Sequence, residues 1–200
     1  LPSKVEIAYI DLRKNEEDLM SQMHLKHRNV LRKAIKENLN FYTTEDEQIL
    51  INLLKETYKN QTNKQPNYDF IKKMARNAVD NGCAKVFYVE KDGVILSAAL
   101  VQFYGLLADY TFGGNVKNSF GSGQFLQWMI FKEMIKLGVE RYSLGQVSLK
   151  ADENNLKFTE GITKFKLRFG CYLESIESYE IVLKPMKYRI FNVLKQIFLK

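Results

Sequence analysis

The sequence predicts an α/β domain whose mixed sheet has an antiparallel meander followed by a β-α-β crossover, with helices on its flanks. Two observations carry most of this. Residues 83–90 and 94–104 are β-rich runs separated by Lys91-Asp92-Gly93, and Asp-Gly suits the positive φ angles of a tight hairpin. A third run, 106–112, follows Gly105 and stops at Gly113-Gly114, completing a three-strand meander. Beyond it, a glycine turn, a helical stretch over 124–137, Gly138 and a short strand over 141–144 imply a parallel pairing made by a right-handed crossover.

The remaining elements follow in order. Residues 5–12 alternate β-branched, aromatic and small side chains and read as a strand ending near Asp11. Asn15 is the expected N-cap of one helix running to about Asn38, with Glu16, Glu17 and Asp18 in a first turn where carboxylates oppose the helix dipole. A short strand is expected at 40–42. Thr44 opens a second helix, in which Ile49, Leu50, Leu53, Leu54 and Tyr58 recur at three- and four-residue intervals. A polar loop over 60–66 precedes a third helix, 68–81, stopped by Gly82. After the crossover, 161–169 reads as a short helix and 171–183 as a strand. Pro185 then stands at the N1 position of a terminal amphipathic helix carrying Lys187, Arg189, Lys195 and Lys200.

Composition narrows the class. A 200-residue chain with 46% hydrophobic residues can bury one substantial core, so one domain over 1–184 plus the terminal helix 185–200 is expected. A start at Leu1-Pro2-Ser3 rather than Met leads us to expect that part of the native protein precedes it. No apolar run approaches the ~20 residues that cross a bilayer and no leader is seen, which points to a cytoplasmic protein. Two cysteines, Cys83 and Cys171, make no disulfide framework and read as core thiols. His24 and His27 lie in a basic helical stretch and read as surface residues, and no metal ligand set is assigned. The net charge of +7 favours polyanionic partners: a nucleotide cofactor, tRNA, an anionic lipid or an anionic glycan.

Chemistry is expected at Asn118-Ser119-Phe120-Gly121-Ser122-Gly123. Phosphates need several backbone N–H donors aimed at one spot, and a helix N-terminus preceded by glycines supplies them without a side chain in the way. Asn118, Gly121, Ser122 and Gly123 are therefore candidate cofactor-binding residues. On the third meander strand, alternation sets Leu107, Asp109 and Thr111 on one face and Leu106, Ala108, Tyr110 and Phe112 on the other. Asp109 is the candidate catalytic carboxylate, accepting an amine proton or anchoring a cationic acceptor, unless it simply faces solvent. Backbone N–H groups around Thr111, Phe112 and Gly113 are candidates to polarise an acyl carbonyl, and Tyr110 to contact substrate. Lys164, Lys166 and Arg168 are candidate ligands of acceptor phosphates, while Phe165, Phe169 and Trp128 read as packing.

The glycine segment resembles the pyrophosphate loop of the GNAT acyltransferase superfamily, in which Gln or Arg, two residues, Gly, one residue and Gly or Ala cradle coenzyme A. Asn118 stands here where that superfamily has Gln or Arg. A longer resemblance is to the Fem-type peptidoglycan-bridge aminoacyltransferases and their relatives in envelope-polysaccharide synthesis. It rests on Tyr9-Ile10-Asp11-Leu12 with Met23, Arg28 and Arg32-Lys33-Ala34, on Phe125-Leu126-Gln127-Trp128, and on Tyr142-Ser143-Leu144-Gly145. Its most specific block is Gly161-Ile162-Thr163-Lys164-Phe165-Lys166 with Arg168-Phe169-Gly170.

The resemblance implies a GNAT-like fold and transfer of an acyl group to an amine of an envelope precursor, a peptidoglycan peptide or an amino sugar. The donor would be acetyl-CoA or another acyl-CoA, toward which the glycine pattern leans, or else aminoacyl-tRNA, the one case that brings in nucleic acid. The acceptor would be a small-molecule or lipid-linked glycan or peptide. Fem-type proteins usually carry two GNAT-like halves, so a second such domain is an expected partner. The terminal helix could dock on that domain, pack within its own, or lie on the inner face of the membrane. A carboxylate often found in the family is replaced within Ser143-Leu144-Gly145-Gln146, which leaves open a non-catalytic half that positions a glycan or peptide acceptor.

Overall fold

The computed structural model describes residues 3–59, 65–117, 120–148, 156–179 and 181–198. Its strands are β1 (Ser3–Asp11), β2 (Asn40–Thr44), β3 (Ala84–Lys91), β4 (Val94–Tyr104), β5 (Leu107–Asn115), β6 (Arg141–Val147) and β7 (Tyr172–Ser178). The helices are α1 (Glu16–Gln22), α2 (Leu25–Ile35), α3 (Glu47–Tyr58), α4 (Tyr68–Asp80), α5 (Ser122–Lys136), α6 (Leu156–Leu167) and α7 (Pro185–Phe198). The strands form one sheet in the order β2-β3-β4-β5-β6-β1-β7, antiparallel throughout except for the parallel pair β5–β6. The meander and the β5-α5-β6 crossover thus stand as the sequence predicts. Strand β1 closes the sheet from the far side, between β6 and β7.

Two apolar layers hold the sheet. On one face, α5 supplies Phe125, Leu126, Trp128, Ile130, Phe131 and Met134, packed with Leu31 and Ala34 of α2 and with Phe87, Ala99, Val101 and Ala108 of the strands. On the other, Leu50, Ile51, Leu53 and Leu54 of α3 and Ile71, Ala75 and Val79 of α4 cover Val86, Ala98 and Leu100. Successive β4 residues feed opposite layers, as a strand period of two requires. Trp128, only 5% exposed, is packing, as expected.

Asn15 caps α1 as expected, its side chain accepting from Asp18 N–H at 2.9 Å. The helix predicted from there to Asn38 is instead two. The chain is extended at Met23 and His24, and the freed His24 N–H donates to the Arg168 carbonyl at 2.9 Å. A distant carbonyl thus takes the donor that a continuous helix would have kept inside. Asp46, not Thr44, caps α3, and Thr44 ends β2. Strand β7 ends at Ser178, short of residue 183, and α6 starts at Leu156 rather than at 161. Cys83 is exposed and Cys171 half-buried, so neither is the core thiol expected. Cys83 follows the Gly82 turn at the rim of β3, outside both layers.

Gly113 and Gly114, expected to end a strand, lie inside β5, paired with Ala99 and Ala98. Their role is close approach. A Cβ on Gly114 would sit 2.6 Å from the carbonyl carbon of Leu53, so β5 and α3 touch backbone to backbone there. Neither main chain can yield without parting strand from helix. Gly114→Ala is therefore expected to cost about 3 kcal/mol, the upper end of ordinary overpacking. Urea denaturation should show it as a lower midpoint at unchanged slope.

Candidate functional site

Strands β5 and β6 run side by side only from the pair Leu107–Arg141 to the pair Asp109–Ser143. Each then takes one extra residue against its outer neighbour. Thr111 falls between the pairs Val101–Tyr110 and Leu100–Phe112, and Leu144 between Tyr9–Ser143 and Ala8–Gly145. Bulges bend a strand and increase its twist. With one on each strand at the same level, β5 and β6 part. Among the described residues no strand pairs with the β6-facing edge of β5 beyond Asp109.

Along the β5 residues beyond that last pair lies a cleft of about 420 Å³. Leu54, Thr57 and Tyr58 line it from α3, Tyr110, Thr111, Phe112, Gly113 and Asn115 from β5, and Gly161, Ile162, Phe165 and Lys166 from α6. Thr57 ties α3 to the strand, its hydroxyl accepting from Asn115 N–H at 2.8 Å. A Cβ on Gly113 would overlap the Tyr110 hydroxyl and ring, so this glycine gives the tyrosine its place. Burial pushes the Tyr110 phenol up to about 12, with nearby Tyr58 adding to the shift, and it stays a neutral hydroxyl at physiological pH.

Lys166 brings the cation. Its Nζ donates to the carbonyl of Gln146 on β6 at 2.8 Å. Burial lowers the ammonium's pKa below the usual lysine range, and the charge of Asp109, together with Cys171, opposes that shift. The lysine is thus half-buried where the parallel strands separate, with a carboxylate close enough to favour its charged form. The fully buried Tyr142 of β6 donates to Gln127 Oε1 at 3.0 Å, and burial holds its phenol well above the ordinary value.

Among the predicted residues, the cleft gathers Tyr110, Thr111, Phe112, Gly113 and Lys166. The bulge at Thr111 breaks the expected alternation: Tyr110 packs toward the α5 layer and Phe112 toward the α3 layer, not on one face. Asp109 does not line the cleft. It stands at the last parallel pair and accepts from the Thr111 hydroxyl at 3.2 Å. Lys164 is exposed and paired with Glu160 one turn away, and Arg168 lies past the end of α6. Only Lys166 of the three basic residues enters the site, because the helix turns Lys164 out and its last turn carries Arg168 past it.

The glycine turn stands elsewhere. Gly121 is the N-cap of α5 with φ 74°, and a Cβ there would lie 2.5 Å from Val30 Cγ1 of α2. Ser122 is 1% exposed, and a Cβ on Gly123 would lie 3.1 Å from Asn115 Oδ1 of β5. Asn118 falls outside the described residues. The sequence reading missed the α3 side of the cleft, Thr57 and Tyr58. The available signal was the Gly113-Gly114 pair, which marks a strand approached closely on both faces. His27, expected at the surface, is 3% exposed.

The fold is similar to that of FemX, with a TM-score of 0.76 at 16% identity over 98% of this chain and 64% of the FemX chain. It is also similar to L-PGS from Bacillus licheniformis, with a TM-score of 0.61 at 13% identity over 88% of this chain and 61% of that one. A third likeness is to the C-terminal domain of a putative lysylphosphatidylglycerol synthetase from Agrobacterium fabrum, with a TM-score of 0.59 at 15% identity over 88% and 60%. The chain thus spans less than two thirds of the length of each of these structures. No curated protein sequence matches it. At such identities the likenesses show the fold alone, a mixed sheet with an antiparallel meander and one parallel crossover. The model of the FemAB family matches residues 3–196, and the chain belongs to the FemAB family.

Proposed function

We propose that this chain carries the acyl-transfer cleft of an N-acyltransferase that passes an aminoacyl group from its tRNA ester to an amine of a cell-envelope precursor. The observation that carries the reading is Lys166, a half-buried ammonium at the mouth of parted parallel strands, facing an aromatic cleft. The acyl chain would lie in the cleft against Tyr58, Tyr110 and Phe165, its carbonyl along the unpaired edge of β5. An uncharged acceptor amine then attacks that carbonyl. The nitrogen–carbon bond forms, charge gathers on the oxygen, the carbon–oxygen bond of the ester breaks, and the amine proton leaves with the ribose hydroxyl.

Lys166 offsets the charge on the oxygen from a half-buried position, where such a charge counts for more than in open solution. Because the ester is already activated, orientation supplies much of the remaining effect. Asp109 acts on the lysine rather than on the substrate, keeping the ammonium charged despite its burial. The tRNA ester is favoured over acyl-CoA by membership of the FemAB family, since the Fem-type resemblance implies an aminoacyl donor. The net charge of +7 suits either polyanion. An acceptor held at the inner face of the membrane fits the exposed α7, in which Met186, Ile190 and Phe191 stand out from the body. Among the described residues no helix is long and apolar enough to cross a membrane. A second GNAT-like domain would account for the additional length of the FemX-like structures.

The test uses the full-length protein with radiolabelled aminoacyl-tRNA or acetyl-CoA and a nucleotide-linked peptide bearing a free amine. Transfer from the tRNA ester is expected, and transfer from acetyl-CoA alone would refute the assigned donor. Lys166→Met should lower kcat by about 10²–10³-fold, the usual cost of removing one oxyanion partner. Activity should also fall as pH rises through the depressed pKa of Lys166, because only the ammonium form serves. Lys166→Arg, which stays charged, should carry whatever activity it keeps to higher pH in the same profile. Gly113→Ala should push the Tyr110 ring from its place and lower kcat/KM.

A further inference from the structure

We infer that His27 is a positioning residue for Lys166, holding the last turn of α6 so that the lysine points into the cleft. The inference rests on the reading of Lys166 given above. His27 is 3% exposed and its Nε2 lies 3.0 Å from the carbonyl oxygen of Phe165, 138 residues further along the chain. A carbonyl only accepts, so the ring proton sits on Nε2. That tautomer leaves a neutral donor.

The Phe165 carbonyl needs one. In a continuous α-helix it would accept from the N–H of Phe169, but that N–H bonds the Lys166 carbonyl at 3.1 Å as the helix tightens and stops. His27 thus serves as a side-chain cap, supplied by another helix, at the C-terminus of α6. His24 does the same one step on, its N–H donating to the Arg168 carbonyl. The break between α1 and α2 therefore has a use: it frees one N–H and aims one imidazole at the turn that carries Lys166.

Packing fixes the ring as well. His27 meets Phe169 edge-on at 4.6 Å and Phe165 at 5.3 Å, and those two rings meet each other at 5.1 Å. Phe131 of α5 closes the cluster at 5.6 Å from Phe169. Burial lowers the pKa of His27 to about 4; the bond to Phe165 works against that shift, and Arg168 and His24 add to it. At neutral pH the imidazole is uncharged, and it places no second positive charge behind Lys166. Lys166 is covalently next to the clamped carbonyl, with Nζ anchored on Gln146 and with Asp109 and Cys171 as its charged or ionisable neighbours.

The experiment compares His27→Leu, which fills the space without a donor, with His27→Gln, which keeps one. The first readout needs no substrate: trace acetylation by acetic anhydride across a pH series, with the modification of Lys166 followed by mass spectrometry. In His27→Leu the midpoint for Lys166 should move up toward the ordinary lysine value of about 10.4 as the side chain swings into water. In His27→Gln it should stay near that of the parent protein.

The second readout is kinetic. His27→Leu should lower kcat by about 10-fold or more with KM little changed, as a displaced catalytic group does. The double variant with Lys166→Met should be no slower than Lys166→Met alone. A His27→Leu protein that melts lower yet keeps the parent midpoint for Lys166 and the parent kcat would overturn the inference, as would a His27→Gln protein as impaired as His27→Leu. If His27→Leu does not fold, His24→Pro removes the neighbouring bond at a φ of −57° that proline accepts. A smaller upward shift at Lys166 is expected there, and an unchanged midpoint would count against the proposal. The acetylation readout stands even if Lys166→Met proves fully active, so failure of the functional reading and failure of this inference are separable.

Discussion

The parting of β5 from β6 after the pair Asp109–Ser143 is the constraint on which the rest of the site depends. A parallel pair buried between two apolar layers has every reason to continue, since each further rung satisfies two backbone groups. Here one extra residue on each strand, Thr111 and Leu144, ends the ladder at a common level. Backbone polar groups on the freed edge are then left for something else to satisfy. The glycines of β5 keep the opening in shape: Gly114 lets α3 close against the strand from one side and Gly113 leaves room for Tyr110 on the other.

Charge is arranged around this opening with the same economy. A half-buried lysine is costly as an ammonium, and burial alone would drive it toward the neutral amine. The nearby Asp109 carboxylate works against that, and the Gln146 carbonyl accepts a hydrogen bond from the ammonium. The aromatic residues around it contribute shape without adding charge, because burial keeps the Tyr110 phenol neutral. An acyl group and a developing oxyanion would find there an apolar wall and one cation. Of these two residues, Lys166 lines the cleft and Asp109 does not.

Much of the sheet was legible in the chain. Asp92-Gly93 announced its hairpin, and Gly138 marked the end of α5 before the returning strand. Elsewhere a local pattern has more than one physical cause. The stretch from Asn15 to Asn38 has good helix formers throughout, yet the Arg168 carbonyl and the turn beside it break the helix at His24. Gly121 and Gly123 look like a phosphate turn because glycine is small, and the same smallness serves the approach of α2 and of Asn115. Sequence alone does not tell the two uses apart.

The sequence by itself determined the meander, the crossover and the helices on the flanks of the sheet. These follow from periodicity and turn chemistry, which act between near neighbours. Only the tertiary structure decided which of Lys164, Lys166 and Arg168 enters the cleft, that Tyr58 of α3 meets Tyr110 of β5 there, and that His27 is buried against Phe165. Each of those outcomes joins residues about 50 to 140 positions apart, and it depends on bulges and backbone contacts that no local pattern encodes.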